Sequence, residues 1–595
     1  MNKIVSSAHG WGKGSETGVS GVVQGLVDLT MKEAAELTPR GVYSARVLTE
    51  LIQTLTEIHG TPPDLEEHFL KPDVLSVSPQ TVLPAAGLIA GFGETLQSSR
   101  AASNFCNRLV SDVAGTSPEK DRSKMTLVLL TLCAQIYETG ELPVASNRVV
   151  FAVKQITSWT EDLERLDADF CAEICRVLGR LLPCMKDVYG SYWERTMQFC
   201  VGLWERAGRH VLSEALPFLH SSLTLLKALE AIQDPNDDLE DALKDVDTAK
   251  CNGLLELMRL PREGASQPME VVDGLLCREV EKIPMARLPD STDLFPLMAS
   301  PSRDVQTAAF NLLHKMIPAQ QEEQSINAIL DKTDARLPDE LLSLLLDPPT
   351  LEKFSDEALS LFPLPVRCYL LSWKLLFDAF STPSFKVRND LVEHLKTGDF
   401  VKPLLDFLCD VLGHSAAHPL NLDRESIGPQ ELHEYDVRAA EAEPAEKSMH
   451  WLLAHLYYLT LKYIPSLFKA WYTECRSKQT RIAVEAWTSR YFSPLIVDDA
   501  LDKVQAWAEA QDAPGSGGGG GGDDDDKELV VKVSKAAREV TAGYEVDEAQ
   551  AAIAIRVPAD YPLGAVSVTG LRRVAVTERR TSVEEVVPPV DFLRW

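Results

Sequence analysis

The stretch "LFPLMASPSRDVQTAAFNLLHKMIP", residues 294–318, decides how most of this chain is read. An apolar segment runs to a turn carrying Pro301 and Asp304, and apolar residues then resume three and four apart. That spacing lines one face of a helix. The reading is a pair of helices packed against each other. Ala308 and Ala309 are small enough to let the two approach, and Leu312 and Leu313 fill the seam. Pro318 is expected to end the second helix, because proline has no amide hydrogen to donate.

The same pattern recurs outward from this stretch. "MTLVLLTLCAQIYETG" (125–140) and "DFCAEICRVLGRLLPCMKDVYG" (169–190) carry apolar residues at helical spacing and stop near glycine. Strand signals are nearly absent before Ala513. Helices separated by short Pro, Gly or Asp breaks point to stacked helical hairpins, and residues 294–318 resemble a HEAT-type hairpin. The expected fold class over residues 1–512 is an all-α, HEAT/ARM-like helical-hairpin solenoid. A non-repetitive helical bundle is the alternative.

Composition bounds the function. The chain has 595 residues and 59 basic against 88 acidic side chains, a net charge of −29. Such a surface repels polyphosphate, which argues against DNA as a partner, although a small basic patch could still meet RNA. Eleven cysteines without an apolar leader at "MNKIVSSAHGWGKGSETG" suggest reduced thiols and a cytosolic or nuclear setting. "WLLAHLYYLTLKYIP" (451–465) is interrupted by His455, Lys462 and Pro465, so it reads as a buried helix rather than a membrane span.

Candidate chemistry is mostly declined. "GWGKGSETG" has Gly10, Gly12, Lys13 and Gly14 but not the spacing of a phosphate-binding loop. Cys171 and Cys175 lie one helical turn apart, with Cys184 the only neighbouring thiol, and read as buried apolar residues. His414 and His418 in "HSAAH" lack the glutamate of a zincin pair. "DPNDDLEDALKDVD" (234–247) has Leu239 where a calcium loop needs glycine and Asp245 where it needs glutamate, and reads as a solvated acidic loop. A second acidic stretch, about 414–447, reads as an insertion between hairpins. No catalytic, cofactor-binding or metal-ligating residue is assigned.

At residues 513–526 the character changes. "APGSGGGGGGDDDD" is a flexible, self-repelling tether. Beyond it "ELVVKVS", "REVTAGYEVD", "AQAAIAIRVP", "GAVSVTG" and "RVAVTE" alternate apolar and polar residues between turns, as an antiparallel meander does. Residues 527–595 balance ten basic against ten acidic side chains, so the whole −29 belongs to residues 1–526. Arg572, Arg573, Arg579 and Arg580 face only Glu578 nearby. They are the candidate contact to an acidic partner such as ribosomal RNA.

Several segments resemble the listerin family of HEAT-repeat, RING-type ubiquitin ligases. They are "YLLSW" (369–373), "LLDFLCDVLG" (404–413), "HLYYL" (455–459), "PSLFKAWY" (465–472) and "VEAWTSRYFSPLI" (484–496). "VKVSKAAREVTAGYEVDE" (531–548) resembles the opening strands of that family's RWD domain, and Tyr561-Pro562 its tyrosine-proline element, with Val566 where a second proline is common. The resemblance implies a partial RWD-like α+β sheet over 527–595, diverging from about residue 580. It implies a cytosolic ligase of the ribosome quality control complex that ubiquitylates stalled nascent chains on large ribosomal subunits. The family's RING binds zinc and docks the ubiquitin-conjugating enzyme; no cysteine follows Cys475 and no histidine follows His455 here. The expectation is therefore a solenoid with part of a ribosome-docking module, inactive alone and holding no cofactor. A non-catalytic scaffold or adaptor is the alternative.

Overall fold

A computed structural model of the chain describes residues 19–511, 529–546 and 549–573, apart from 63, 210, 263, 265, 331–333, 382 and 383. The tether at 513–526, the glycine-rich start and the tail from 574 lie outside the described residues. Two compact units divide at Leu288 and Pro289, within the helical part rather than at the tether.

In the first unit the helices sort into two layers. One runs through Pro39–His59, Val82–Phe92, Asp121–Gln135, Ala168–Leu181, Leu212–Glu230 and Gln267–Val280, each packed on the next. The other runs through Arg100–Val113, Ser146–Trp159, Tyr192–Ala207 and then Asp237–Asp245 and Asp247–Arg259. Every second helix thus returns to the same layer, as stacked hairpins require. The packing follows from sequence. Ala168–Leu181 buries Phe170, Cys171, Ile174, Cys175, Leu178 and Leu181 at helical spacing, and Asp167 caps its start by accepting from the Phe170 amide at 2.6 Å.

The second unit is organised around a buried helix, Leu364–Asp378. Every residue from Val366 to Phe377 is buried, which a helix surrounded on all sides shows in place of an apolar stripe. Arg303–Leu330, Asp339–Leu345 and Ala445–Tyr463 pack on it. The decisive stretch behaves as expected at its seam, with Ala308, Ala309, Leu312 and Leu313 buried. It departs at both ends. The first segment is a short 3-10 turn, Phe295–Ala299, and the second helix runs through Pro318 to Leu330. Pro318 lies on the exposed side, where water can solvate the carbonyl that proline leaves unbonded.

Both acidic stretches are structured. Asp237–Asp245 is a helix, not a loop: Asn236 accepts from the Leu239 amide at 3.0 Å, and Leu239 and Ala242 are buried. Within 414–447, three short helices (Leu422–Glu425, Pro429–His433, Val437–Glu441) and the link between the first two bury Leu422, Ile427, Leu432, Val437 and Ala440. That segment is core rather than an appended loop. It straps the Ala445–Tyr463 helix: His455 Nδ1 meets the Leu432 carbonyl at 2.8 Å, and Trp451 Nε1 donates to the Glu431 carbonyl at 2.7 Å. Arg367, buried, donates to Glu441 at 2.7 Å, Thr307 at 2.8 Å and Gln306 at 3.1 Å, tying strap, central helix and hairpin together.

Four strands follow, β1 (Leu529–Ser534), β2 (Glu539–Val546), β3 (Ala549–Arg556) and β4 (Ser567–Arg573), antiparallel in the order β1-β2-β3-β4. The expected meander forms, but "GAVSVTG" continues across Gly570 as a single strand reaching Arg573.

Candidate functional site

The sheet is the part of the chain where strand geometry places cationic residues at an edge. β1 packs on the Ser493–Gln511 helix, and Lys535, just past β1, forms an ion pair with Asp502 of that helix. The β1–β2 turn brings Arg538 into left-handed backbone (φ 51), with its amide donating to the Lys535 carbonyl at 3.1 Å. Register then sets Glu539 opposite Arg556, and the two pair at 2.9 Å across β2 and β3. Val540, Ala554, Val557 and Tyr561 are buried; register pairs Val540 with Ile555 and Ala554 with Thr541, so the buried strand residues lie on both faces of the sheet. Burial pushes the Tyr561 hydroxyl up to about 12, and Tyr561-Pro562 is a cis peptide.

Arg572 and Arg573 are the last two residues of β4, opposite Ala551 and Gln550 of β3. β4 is an outer strand of the described sheet. Both arginines therefore lie at the end of an outer strand of the described sheet. Arg579 and Arg580 lie outside the described residues.

The other motifs resolve as structure. Cys171 and Cys175 are buried, and burial pushes the Cys171 thiol up to about 12 and Cys175 well above its usual value. A thiolate nucleophile or zinc ligand needs the opposite shift. His414 is buried while His418 is exposed, so the "HSAAH" pair does not converge. Among the described residues, no group of three or more His, Cys, Asp or Glu side chains is placed to hold a metal ion. No described helix is long and apolar enough to cross a membrane. The large aromatic side chains Trp373, Phe377, Tyr458, Trp471 and Trp487 are buried, and Trp451 is half-buried.

Comparison with known proteins agrees with this layout. The family model "LTN1 family HEAT repeat region" matches residues 284–505, beginning beside the boundary of the second unit. The model "Ubiquitin conjugating domain-like" matches 529–583, which contains the sheet. The E3 ubiquitin-protein ligase listerin of Neurospora crassa is 40% identical over 586 residues, covering 98% of this chain and 36% of that protein. The listerin of Schizosaccharomyces pombe is 23% identical over 570 residues, 92% of this chain and 34% of that protein. That of Gallus gallus is 26% identical over 312 residues, 48% of this chain and 16% of that protein. The chain thus spans about a third of the length of the two fungal relatives. With aligned identity running through both helical units and into the sheet, the chain belongs to the listerin family.

Proposed function

We propose that this chain is the helical arm and sheet module of a RING-type ubiquitin ligase that acts in the cytosol on stalled nascent chains held by large ribosomal subunits. The single observation that carries this reading is the 40% identity across nearly the whole chain to a listerin. The sheet is taken as an RWD-type module that docks on the ribosome, supported by the match of 529–583 and by the edge position of Arg572 and Arg573. In such a ligase the ubiquitin-conjugating enzyme, other quality-control components and the nascent chain are brought together. The rate gain comes from proximity and orientation rather than from a side-chain nucleophile. Packed helical layers suit that role, because a stiff array fixes the distance between docking end and transfer end.

Cosedimentation with purified large ribosomal subunits tests the docking. Binding should weaken steeply as salt rises, and the double variant Arg572→Glu, Arg573→Glu should bind about tenfold more weakly at low salt. Binding that ignores both salt and charge reversal would remove the sheet from the interface.

A further inference from the structure

Nine residues after Arg573, the last residue of β4, comes Ser582. It belongs to "RRTSVEE", residues 579–585, which lies outside the described residues. The order of side chains is the one an arginine-directed serine kinase reads. Arg579 and Arg580 stand three and two positions before Ser582, and the apolar Val583 follows it. Such a kinase holds its substrate extended and pairs the arginines with its own carboxylates. The substrate hydroxyl must be free to reach ATP.

The fold removes the competing positions. Six hydroxyl residues have an arginine three places before them: Thr49, Ser103, Ser111, Ser493, Thr541 and Ser582. The first three stand inside the helices Pro39–His59 and Arg100–Val113. There Thr49 donates to the Ala45 carbonyl at 3.1 Å and Ser111 to the Asn107 carbonyl at 2.9 Å. Ser493 is buried. Thr541 is held in β2 between Lys532 of β1 and Ala554 of β3. Drawing any of these five out as an extended segment means unwinding a helix or opening the sheet. Ser582 alone among the six also has an arginine two places before it.

We propose that Ser582 is a phosphorylation site for an arginine-directed serine kinase, and that its phosphate switches off the arginine contact of the sheet module. In the transfer, the bond from the γ-phosphorus of ATP to its bridging oxygen breaks and a bond to Ser582 Oγ forms. The hydroxyl proton passes to the kinase's base, and ADP leaves. Residues 572–585 carry four arginines against Glu578, Glu584 and Glu585, a net charge of +1. A phosphate adds about −2 and inverts that sign. Arg579 is at most about 10 Å along the chain from Ser582, so the phosphate acts on it within about one Debye length. The phosphate can also take an arginine as a bidentate partner in place of an RNA phosphate. The loss of binding rests on the docking reading above; the modification does not.

The test treats the full chain with ATP and the catalytic subunit of cyclic-AMP-dependent protein kinase, and locates phosphate by tandem mass spectrometry. Ser582 should carry it, and the double variant Arg579→Ala, Arg580→Ala should slow its incorporation by about tenfold. Cosedimentation with large ribosomal subunits at low salt follows. The phosphorylated chain should bind about tenfold more weakly than the untreated one. Ser582→Ala carried through the same treatment should bind like the untreated chain. Absence of phosphate from Ser582, incorporation that ignores the two arginines, or undiminished binding by the phosphorylated chain would each overturn the proposal. If the untreated chain fails to bind the subunits, the docking reading falls and the switch with it, while the mass spectrum still decides the site.

Discussion

His414 and His455 are enclosed in the second unit, and burial lowers their pKa values to about 4 and about 3, from an ordinary 6.5. For His455 the nearby Lys374 charge adds to the shift. An unfolded chain takes up these protons near pH 6.5, whereas the folded one does not until about pH 4 or below. Stability is therefore full above about pH 6.5 and falls as pH drops toward 4, by roughly 3 kcal/mol for His414 alone. His414→Phe, which keeps a ring against Tyr457 and Trp487, should flatten that loss in urea melts run across this range. A second prediction concerns Arg262 and Asp273, whose side chains are 4% and 2% exposed and pair at 2.9 Å. Asp273→Ala strands a buried guanidinium, which still donates to the Met258 and Leu260 carbonyls. It should cost about 3–5 kcal/mol in chemical denaturation. Neither feature is legible in sequence. An isolated histidine or an Arg and Asp eleven apart look like surface residues until packing encloses them.

Helices were legible where periodicity was clean, and their ends were legible where caps were. Asn236 followed by Asp237 and Asp238 is a start signal with acidic residues in the first turn, where the helix dipole favours them. Weight given to charge over cap made that helix look like a loop. Pro318 misled in the other direction. Proline removes one amide donor and crowds the preceding turn, but a long helix packed on its neighbours can carry that cost. Pro318→Ala is accordingly expected to stabilise the chain by about 1–3 kcal/mol, read as a higher denaturation midpoint. The strap at 414–447 shows the same limit. Its few apolar residues (Leu422, Ile427, Leu432, Val437) have no helical period, yet each finds the Ala445–Tyr463 helix or its neighbours.

At the scale of the molecule, the two units bury separate cores. A fragment of residues 1–288 should melt cooperatively on its own, followed by circular dichroism. Residues 527–595 expressed alone should show no cooperative melt, because β1 then loses the Ser493–Gln511 helix and Lys535 its partner Asp502. A sharp transition in that fragment would mean the sheet is self-sufficient. The Arg572 and Arg573 site belongs to this scale as well. Sequence marked the arginine pair, and only strand order put it at an edge.

Apolar spacing, turn residues and the change of composition at 513 were enough to set the class of each region, since helix and strand periods are local properties of the chain. The family could be read from short aromatic and leucine segments for a similar reason: they are contiguous. What tertiary structure alone decided was the division at Leu288, the all-round burial of residues 366–377 and the strap over the Ala445–Tyr463 helix. Each depends on residues far apart along the chain meeting in space, and burial, pairing and charge environment are set by that meeting rather than by neighbours in sequence.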